Sequence, residues 1–406
     1  MPSIPPDGEP APLDGALPPS ALIDASDRPL ALYVHVPFCS SRCGYCDFTT
    51  YTAEELGPGV SRSDYSASTI AELDLAVRVL GESVRPVSSV FVGGGTPTLL
   101  SPRDLGELLE AIRQRFGLID DAEITVEANP ESVDAMALEQ LRAAGFTRIS
   151  LGMQSADTAV LRALDRRHTP GRAVAAAHEA RAAGFAHINL DLIYGAPGET
   201  AEHWRESVAA ALSANPDHIS AYALIVEDGT KLAAQVARGE VTVADQDTMA
   251  DRYVTADAML SAAGMSWYEV SNWARPGGQC AHNLSYWRGD DWWGIGPGAH
   301  SHIGGVRWWN TRHPTPWATK VAQGESPAQA REVLSAEQRY DESILLALRL
   351  AEGLPASRLS APARQRAGEA VEQGLLEPDA WAKEHLVVTR TGRLLADRLA
   401  VDLLTV

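Results

Sequence analysis

Cysteine is scarce in this sequence. There are four in 406 residues, and three of them crowd into positions 39, 43 and 46. A secreted disulfide framework would spread its cysteines along the chain, so a tight group in a long chain points instead to a bound metal or cofactor in a reducing compartment. Positive charge is also in short supply: 34 Lys and Arg face 53 Asp and Glu, for a formal net charge of −19. A chain this acidic repels phosphate backbones, and no polybasic block interrupts it, which excludes a nucleic-acid partner. No stretch approaches the roughly 18 apolar residues of a membrane span. Residues 1–27 carry no Lys or Arg and no apolar stretch. That is unlike a secretory or mitochondrial leader. The expectation is a cytoplasmic protein that opens with a disordered, acidic, Pro-rich tail over 1–28.

Apolar residues are not lacking. They make up 45% of the chain against 21% charged, enough for a large core without staples. Short apolar runs read as strands at 31–36, 87–92, 123–128, 148–151, 187–193 and 218–222. Amphipathic Ala- and Leu-rich stretches at 64–80, 102–116, 133–144, 172–183 and 201–212 read as helices between them. Such alternation predicts parallel strands with right-handed helical crossovers, and chemistry at the C-terminal strand ends. The fold class expected is α/β, a partial (β/α)6 barrel over 29–265. A Trp- and Gly-rich loop region follows over 266–330, with few helical signals. A small C-terminal α+β domain of winged-helix type is expected over 331–406, with helices at 336–350, 355–359 and 361–373. Its two short strands would lie at 385–389 and 393–396, around a turn at Thr391 and Gly392.

The most specific signal follows the first strand. Cys39, Cys43 and Cys46 have the spacing C-x3-C-x2-C. Thiolates are the usual protein ligands of iron–sulfur clusters, and three of them can hold three irons of a cubane while leaving the fourth open. A zinc site short of one ligand and three incidental thiols are the alternatives; zinc sites more often show paired C-x2-C elements. Four further stretches end later strands: Gly93-Gly94-Gly95-Thr96, Glu127 followed by Asn129-Pro130, Gln154, and Asp191, with Arg166 in Asp-Arg-Arg-His. Glycines let backbone approach a ligand, carboxylates accept hydrogen bonds from an amine or a ribose, and a guanidinium pairs with a carboxylate.

On these residues the chain resembles the radical S-adenosylmethionine superfamily, from about residue 32 to 301. The resemblance implies a 4Fe–4S cluster on Cys39, Cys43 and Cys46, with S-adenosylmethionine on its open iron. It implies that Tyr33, Gly94, Gly95, Thr96, Glu127, Gln154, Arg166 and Asp191 contact S-adenosylmethionine. Within the superfamily the chain looks like the coproporphyrinogen III dehydrogenase-like group. In the dehydrogenase itself a fourth Cys stands where this chain has Phe48. The sequence His282-Asn283-Leu-Ser-Tyr286-Trp287 is similar to the motif of the HemW heme chaperones, whose members bind heme and pass it to acceptor hemoproteins. An imidazole suits heme iron and aromatic walls suit the macrocycle, so His282 is the candidate heme ligand. Cys280, His300 and His302 are rivals. The function implied is heme binding and delivery to an acceptor hemoprotein. The alternatives are oxidative decarboxylation of coproporphyrinogen III, against which Phe48 speaks, and a radical methyltransferase, against which the His282 motif speaks.

Overall fold

The structure, a computed structural model, describes residues 7–56, 62–166 and 168–404. Its centre is six neighbouring parallel strands: β1 (Leu30–Val36), β2 (Val87–Gly94), β3 (Leu118–Ala128), β4 (Arg148–Gln154), β5 (His187–Tyr194) and β6 (His218–Ala223). Helices Arg62–Leu80, Pro102–Phe116, Ala135–Ala144, Arg172–Ala182 and Ala201–Ser213 connect them in turn. All six strands and all five helices were legible in the apolar pattern. Strand β1 is buried at every position except Tyr33, which is half-buried, because the sheet is covered on both faces. Helix Pro102–Phe116 shows why the crossovers form. Ser101 and Asp104 make a reciprocal capping box at its start, and Gly117 ends it at φ +73°. Its buried face is Leu105, Leu108, Leu109, Ile112 and Phe116, each contributing about 1.5–3 kcal/mol of burial.

The stretch after residue 265 is not a loop region. It holds β7 (Ser266–Glu269), β8 (Asn272–Ala274), helix Ala281–Arg288, β9 (Asp291–Ile295), β10 (His300–Ile303), β11 (Val306–Asn310), helix Pro314–Ala322 and β12 (Ala328–Val333). Tryptophans are why: Trp273, Trp293, Trp308, Trp309 and Trp317 are buried, and aromatic residues favour a pleated, half-buried surface. Strand β9 pairs with β1 in parallel, and β10 to β12 continue antiparallel. Strand β8 pairs antiparallel with β6, and β7 lies outside it. The twelve strands make one open sheet in the order β12-β11-β10-β9-β1-β2-β3-β4-β5-β6-β8-β7. Buried Glu72 ties this extension to the first crossover helix. Its carboxylate accepts from Gly296 N at 2.8 Å, Asn310 Nδ2 at 2.6 Å and Trp317 Nε1 at 2.7 Å.

Two further expectations are corrected. The segment 7–28 is not a disordered tail; residues 1–6 of the expected tail 1–28 lie outside the described residues. Glu9 and Arg331 exchange backbone hydrogen bonds, Ala21 is fully buried, and Arg28 pairs with Asp291 at 2.9 Å. A few apolar and ion-pair anchors offset the ordering cost of an otherwise polar stretch. At the other end, helices Ala336–Ala347 and Ala361–Glu372 appear as expected, with a 3-10 turn at Ala356–Arg358. The expected hairpin does not. β13 (Leu354–Pro355) pairs antiparallel with β14 (His385–Leu386), and Arg390–Leu394 is helical. Thr389 caps that helix by accepting from Gly392 N at 3.0 Å, so Gly392 serves a helix start rather than a hairpin turn. Helix Ala396–Leu404 closes the domain over a second core that includes Ile344, Leu354, Leu386 and Leu399.

Candidate functional site

The loop after β1 is held from both ends. Gly95 N donates to Val36 O at 2.8 Å, and Thr96 N donates to Phe38 O at 2.7 Å. Cys39 N donates to Tyr51 O at 3.0 Å, and Tyr51 N returns to Pro37 O at 2.7 Å. The buried His35 ring spans the loop: Nε2 donates to Thr49 O at 2.7 Å while Tyr33 OH donates to Nδ1 at 3.0 Å. Gly44 N donates to Leu164 O at 3.3 Å and its carbonyl accepts from Leu232 N at 2.8 Å. Cys39, Cys43 and Cys46 are therefore fixed, half-buried and free of disulfides.

These thiols line a cavity of about 440 Å³ at the C-terminal ends of the parallel strands. Gly94, Gly95 and Thr96 reach it from β2, Glu127 from β3, Gln154 from β4, Asp191 from β5, and Arg166 from the segment beyond β4. Glu127 Oε2 accepts from Gly94 N at 2.9 Å. Asp191 accepts from Ser150 Oγ at 2.8 Å and Asn189 Nδ2 at 2.7 Å. Gln154 sits at φ +65° beside a register shift in β4, a left-handed conformation that non-glycine residues reach only under tertiary constraint. Gly152 makes room there, since a Cβ would lie 2.8 Å from Arg166 Nη2 and 2.9 Å from Gln154 Nε2. Arg166 bridges the two halves of the cavity, donating to Cys43 Sγ at 3.4 Å and Gly152 O at 3.0 Å.

Burial sets the protonation states. It pushes the Cys46 thiol up to about 11, and Cys39 upward too. Burial, then the neighbouring Asp191 charge, pushes the Glu127 carboxyl up to about 8. Asp191 is raised by burial. The donor set fits a cubane and a zwitterionic amino acid. Three thiols face one cavity, and a Cβ on Gly95 would lie 2.5 Å from Phe38 O and 3.0 Å from Cys39 Sγ. Two carboxyls and one guanidinium, whose buried Nε has no partner among the described residues, match an ammonium and a carboxylate.

Two sequence candidates are placed elsewhere. Tyr33 points into the sheet interior against His35 and Phe91, not into the cavity wall. His282 is 1% exposed. Its Nδ1 lies 2.9 Å from Ser89 Oγ and its Nε2 lies 2.9 Å from Tyr286 OH, while the ring stacks on Phe91. Burial lowers its pKa to about 4. With both nitrogens engaged and no place in the cavity wall, His282 is out of reach of a ligand in the cysteine cavity. Rival Cys280 is enclosed as well, its Sγ donating to Glu123 Oε1 at 3.2 Å. Conversely, Tyr45, Asn129, Ser150, Gly152 and Tyr222 line the cavity. Tyr45, inside the C-x2-C step, and Ser150, two residues before Gly152 on a strand of period two, were the findable ones.

The radical SAM superfamily model matches residues 33–211. Over 377 residues the chain is 52% identical to the heme chaperone HemW of Mycobacterium tuberculosis, covering 93% of this chain and 95% of that protein. It is 35% identical to the heme chaperone HemW of Escherichia coli, covering 91% and 97%. Among solved structures, coproporphyrinogen III oxidase (HemN) from Escherichia coli superposes with a TM-score of 0.80 at 24% identity, covering 97% of this chain and 94% of that one. That likeness speaks for the fold alone.

Proposed function

The chain belongs to the HemW family of radical S-adenosylmethionine proteins, and from that premise we propose that it is a heme chaperone, which binds heme and passes it to an acceptor hemoprotein. The observation that carries the reading is the likeness to heme chaperones over nearly the whole chain, not only over the cluster-bearing part. Phe48 supports it. This side chain is 58% exposed at the mouth of the cysteine cavity, at the position where the coproporphyrinogen dehydrogenase pattern has its fourth Cys.

In this reading Cys39, Cys43 and Cys46 hold a 4Fe–4S cluster. Arg166 and Glu127 take the carboxylate and ammonium of S-adenosylmethionine, Asp191 and Gln154 its remaining polar groups, and Gly94, Gly95 and Thr96 its backbone contacts. When bound, the pair supplies one-electron reduction of a sulfonium carbon–sulfur bond. The chain's part is to orient the sulfonium and to keep water off it; Ile193 and Leu224 line the apolar side of the cavity. The barrel over 29–265 carries this pair, and the C-terminal domain from 331 offers the docking surface for the acceptor. No described helix is long and apolar enough to cross a membrane. We place the protein in the cytoplasm, where a reducing pool keeps clustered thiols free.

The test is anaerobic reconstitution followed by two measurements on one preparation. Heme titration by Soret difference absorbance should give saturable binding. Incubation with coproporphyrinogen III, S-adenosylmethionine and a reductant should give no protoporphyrinogen. Protoporphyrinogen at useful rates would overturn the chaperone reading in favour of the decarboxylase.

A further inference from the structure

A second cleft, of about 680 Å³, lies where the end of helix Ala281–Arg288 and the turn between β10 and β11 face helix Ala336–Ala347. We propose that this cleft, and not the cysteine cavity, seats the porphyrin. Arg339 and Arg358 hold its two carboxylate arms, Trp287 packs on the macrocycle, and His302 faces the iron. The inference rests on the heme-chaperone reading and adds to it a location and a set of contacts.

Space argues first. Binding pockets of about 300–1,000 Å³ hold one drug-sized ligand. The cysteine cavity, at about 440 Å³, is already committed to a cluster and S-adenosylmethionine. The second cleft is larger and separate.

Charge argues next. The chain carries a net charge of −19, yet this cleft has a surplus of positive charge. Its other charged walls are neutralised in pairs: Arg28 with Asp291 at 2.9 Å, Arg288 with Glu352, and Glu342 with Arg307 at 2.6 Å. Arg339 and Arg358 have no ion pair among the described residues and are exposed to the cleft. Two unpaired guanidiniums beside Trp287, Leu346 and Leu350 form a site for a flat apolar body with two carboxylates.

The imidazole argues last. His302 lines the cleft, and its Nδ1 lies 3.0 Å from the carbonyl of Asp290. A carbonyl only accepts, so Nδ1 carries the proton and Nε2 the lone pair. That arrangement is how metal-binding imidazoles are oriented. The Nε2 lone pair accepts only a long bond, 3.2 Å, from Gly305 N. Gly304 and Gly305 form a tight hairpin tip with φ of +54° and +84°, and glycine backbone shifts at low steric cost. Burial lowers the His302 pKa, which keeps the ring neutral. His282, by contrast, has both nitrogens held by the hydroxyl groups of Ser89 and Tyr286 and does not line this cleft.

The experiment is heme titration of the full-length reconstituted protein, beside titration with iron-free protoporphyrin IX followed by fluorescence. Arg339→Glu and Arg358→Glu change exposed side chains and leave the fold intact. Each should weaken both porphyrins by about tenfold or more, as expected for losing a charge-assisted bond. His302→Ala should weaken heme and alter its Soret and spin-state spectrum while leaving iron-free protoporphyrin unchanged. If wild type binds heme and all three variants bind it equally with the same spectrum, the cleft is overturned and the chaperone reading stands. If His302→Ala weakens the iron-free porphyrin as much as heme, the histidine shapes the cleft and does not ligate, and its assignment falls. If wild type binds no heme, the chaperone reading falls and this proposal with it.

Discussion

Arg166 Nη1 donates to Cys43 Sγ at 3.4 Å while its Nη2 donates to Gly152 O at 3.0 Å. One guanidinium thus joins the cysteine loop after β1 to the register shift in β4. Arg166→Ala should weaken S-adenosylmethionine by about tenfold to a hundredfold, the effect of removing one charge-assisted contact of about 1.5–3 kcal/mol. The cluster should survive, because no thiol is removed. Calorimetry beside iron and sulfide analysis checks both halves, and unchanged affinity would take Arg166 out of the site.

Cys39, Cys43 and Cys46 are expected to be individually necessary for the cluster, and Cys280 dispensable. The first three face one cavity. Cys280 is 3% exposed, does not line that cavity, and donates to Glu123 Oε1 at 3.2 Å, four residues before Glu127 on β3. Single Ala variants at the three positions should lose the broad iron–sulfur absorbance after anaerobic reconstitution. Loss of that absorbance in Cys280→Ala alone would mean that the ligand set is misassigned.

The stability of the cluster-free protein should fall as pH rises through the range set by Glu127. Burial and Asp191 raise this carboxyl from 4.5 to about 8. Between those values the folded state keeps a proton that the unfolded chain has released, so stability declines across that window, fully by pH 8 and above. Glu127→Gln removes the titration. Its Tm relative to wild type should therefore climb from about pH 5 to about pH 9 in scanning calorimetry. A pH-independent difference would contradict the raised carboxyl.

Glu72 should be a strong point of the strand extension. Its carboxylate satisfies donors from Gly296, Asn310 and Trp317, and Glu72→Ala leaves three of them buried. At about 1–3 kcal/mol for each unsatisfied group, the loss should be several kcal/mol in chemical denaturation. Glu72→Gln should cost less, because its amide oxygen still accepts. Equal losses in the two variants would show that the shape of the side chain matters and its acceptors do not.

The sequence by itself determined the six parallel strands, their crossover helices and the group of residues at the cysteine cavity. These are local matters. Strand and helix periods are written in runs of a few residues, and a parallel sheet brings successive strand ends to one side whatever the details. The cysteine spacing and the glycines of β2 needed no tertiary knowledge. Tertiary structure alone decided the rest. Segment 7–28 is polar enough to read as disordered, and only its partners Arg331 and Asp291, about 260 or more residues away in sequence, order it. Thr391-Gly392 reads as a hairpin turn until the Thr389 cap makes it helical. The Trp-rich stretch after residue 265 shows no clean period, because its strands close both ends of a sheet begun much earlier in the chain. His282 and His302 look alike in the sequence, each a histidine among aromatics. The fold encloses one ring between the hydroxyls of Ser89 and Tyr286 and sets the other on the wall of a cleft, with only a long bond from Gly305 N on its lone pair, and no local pattern encodes which histidine will line a cleft.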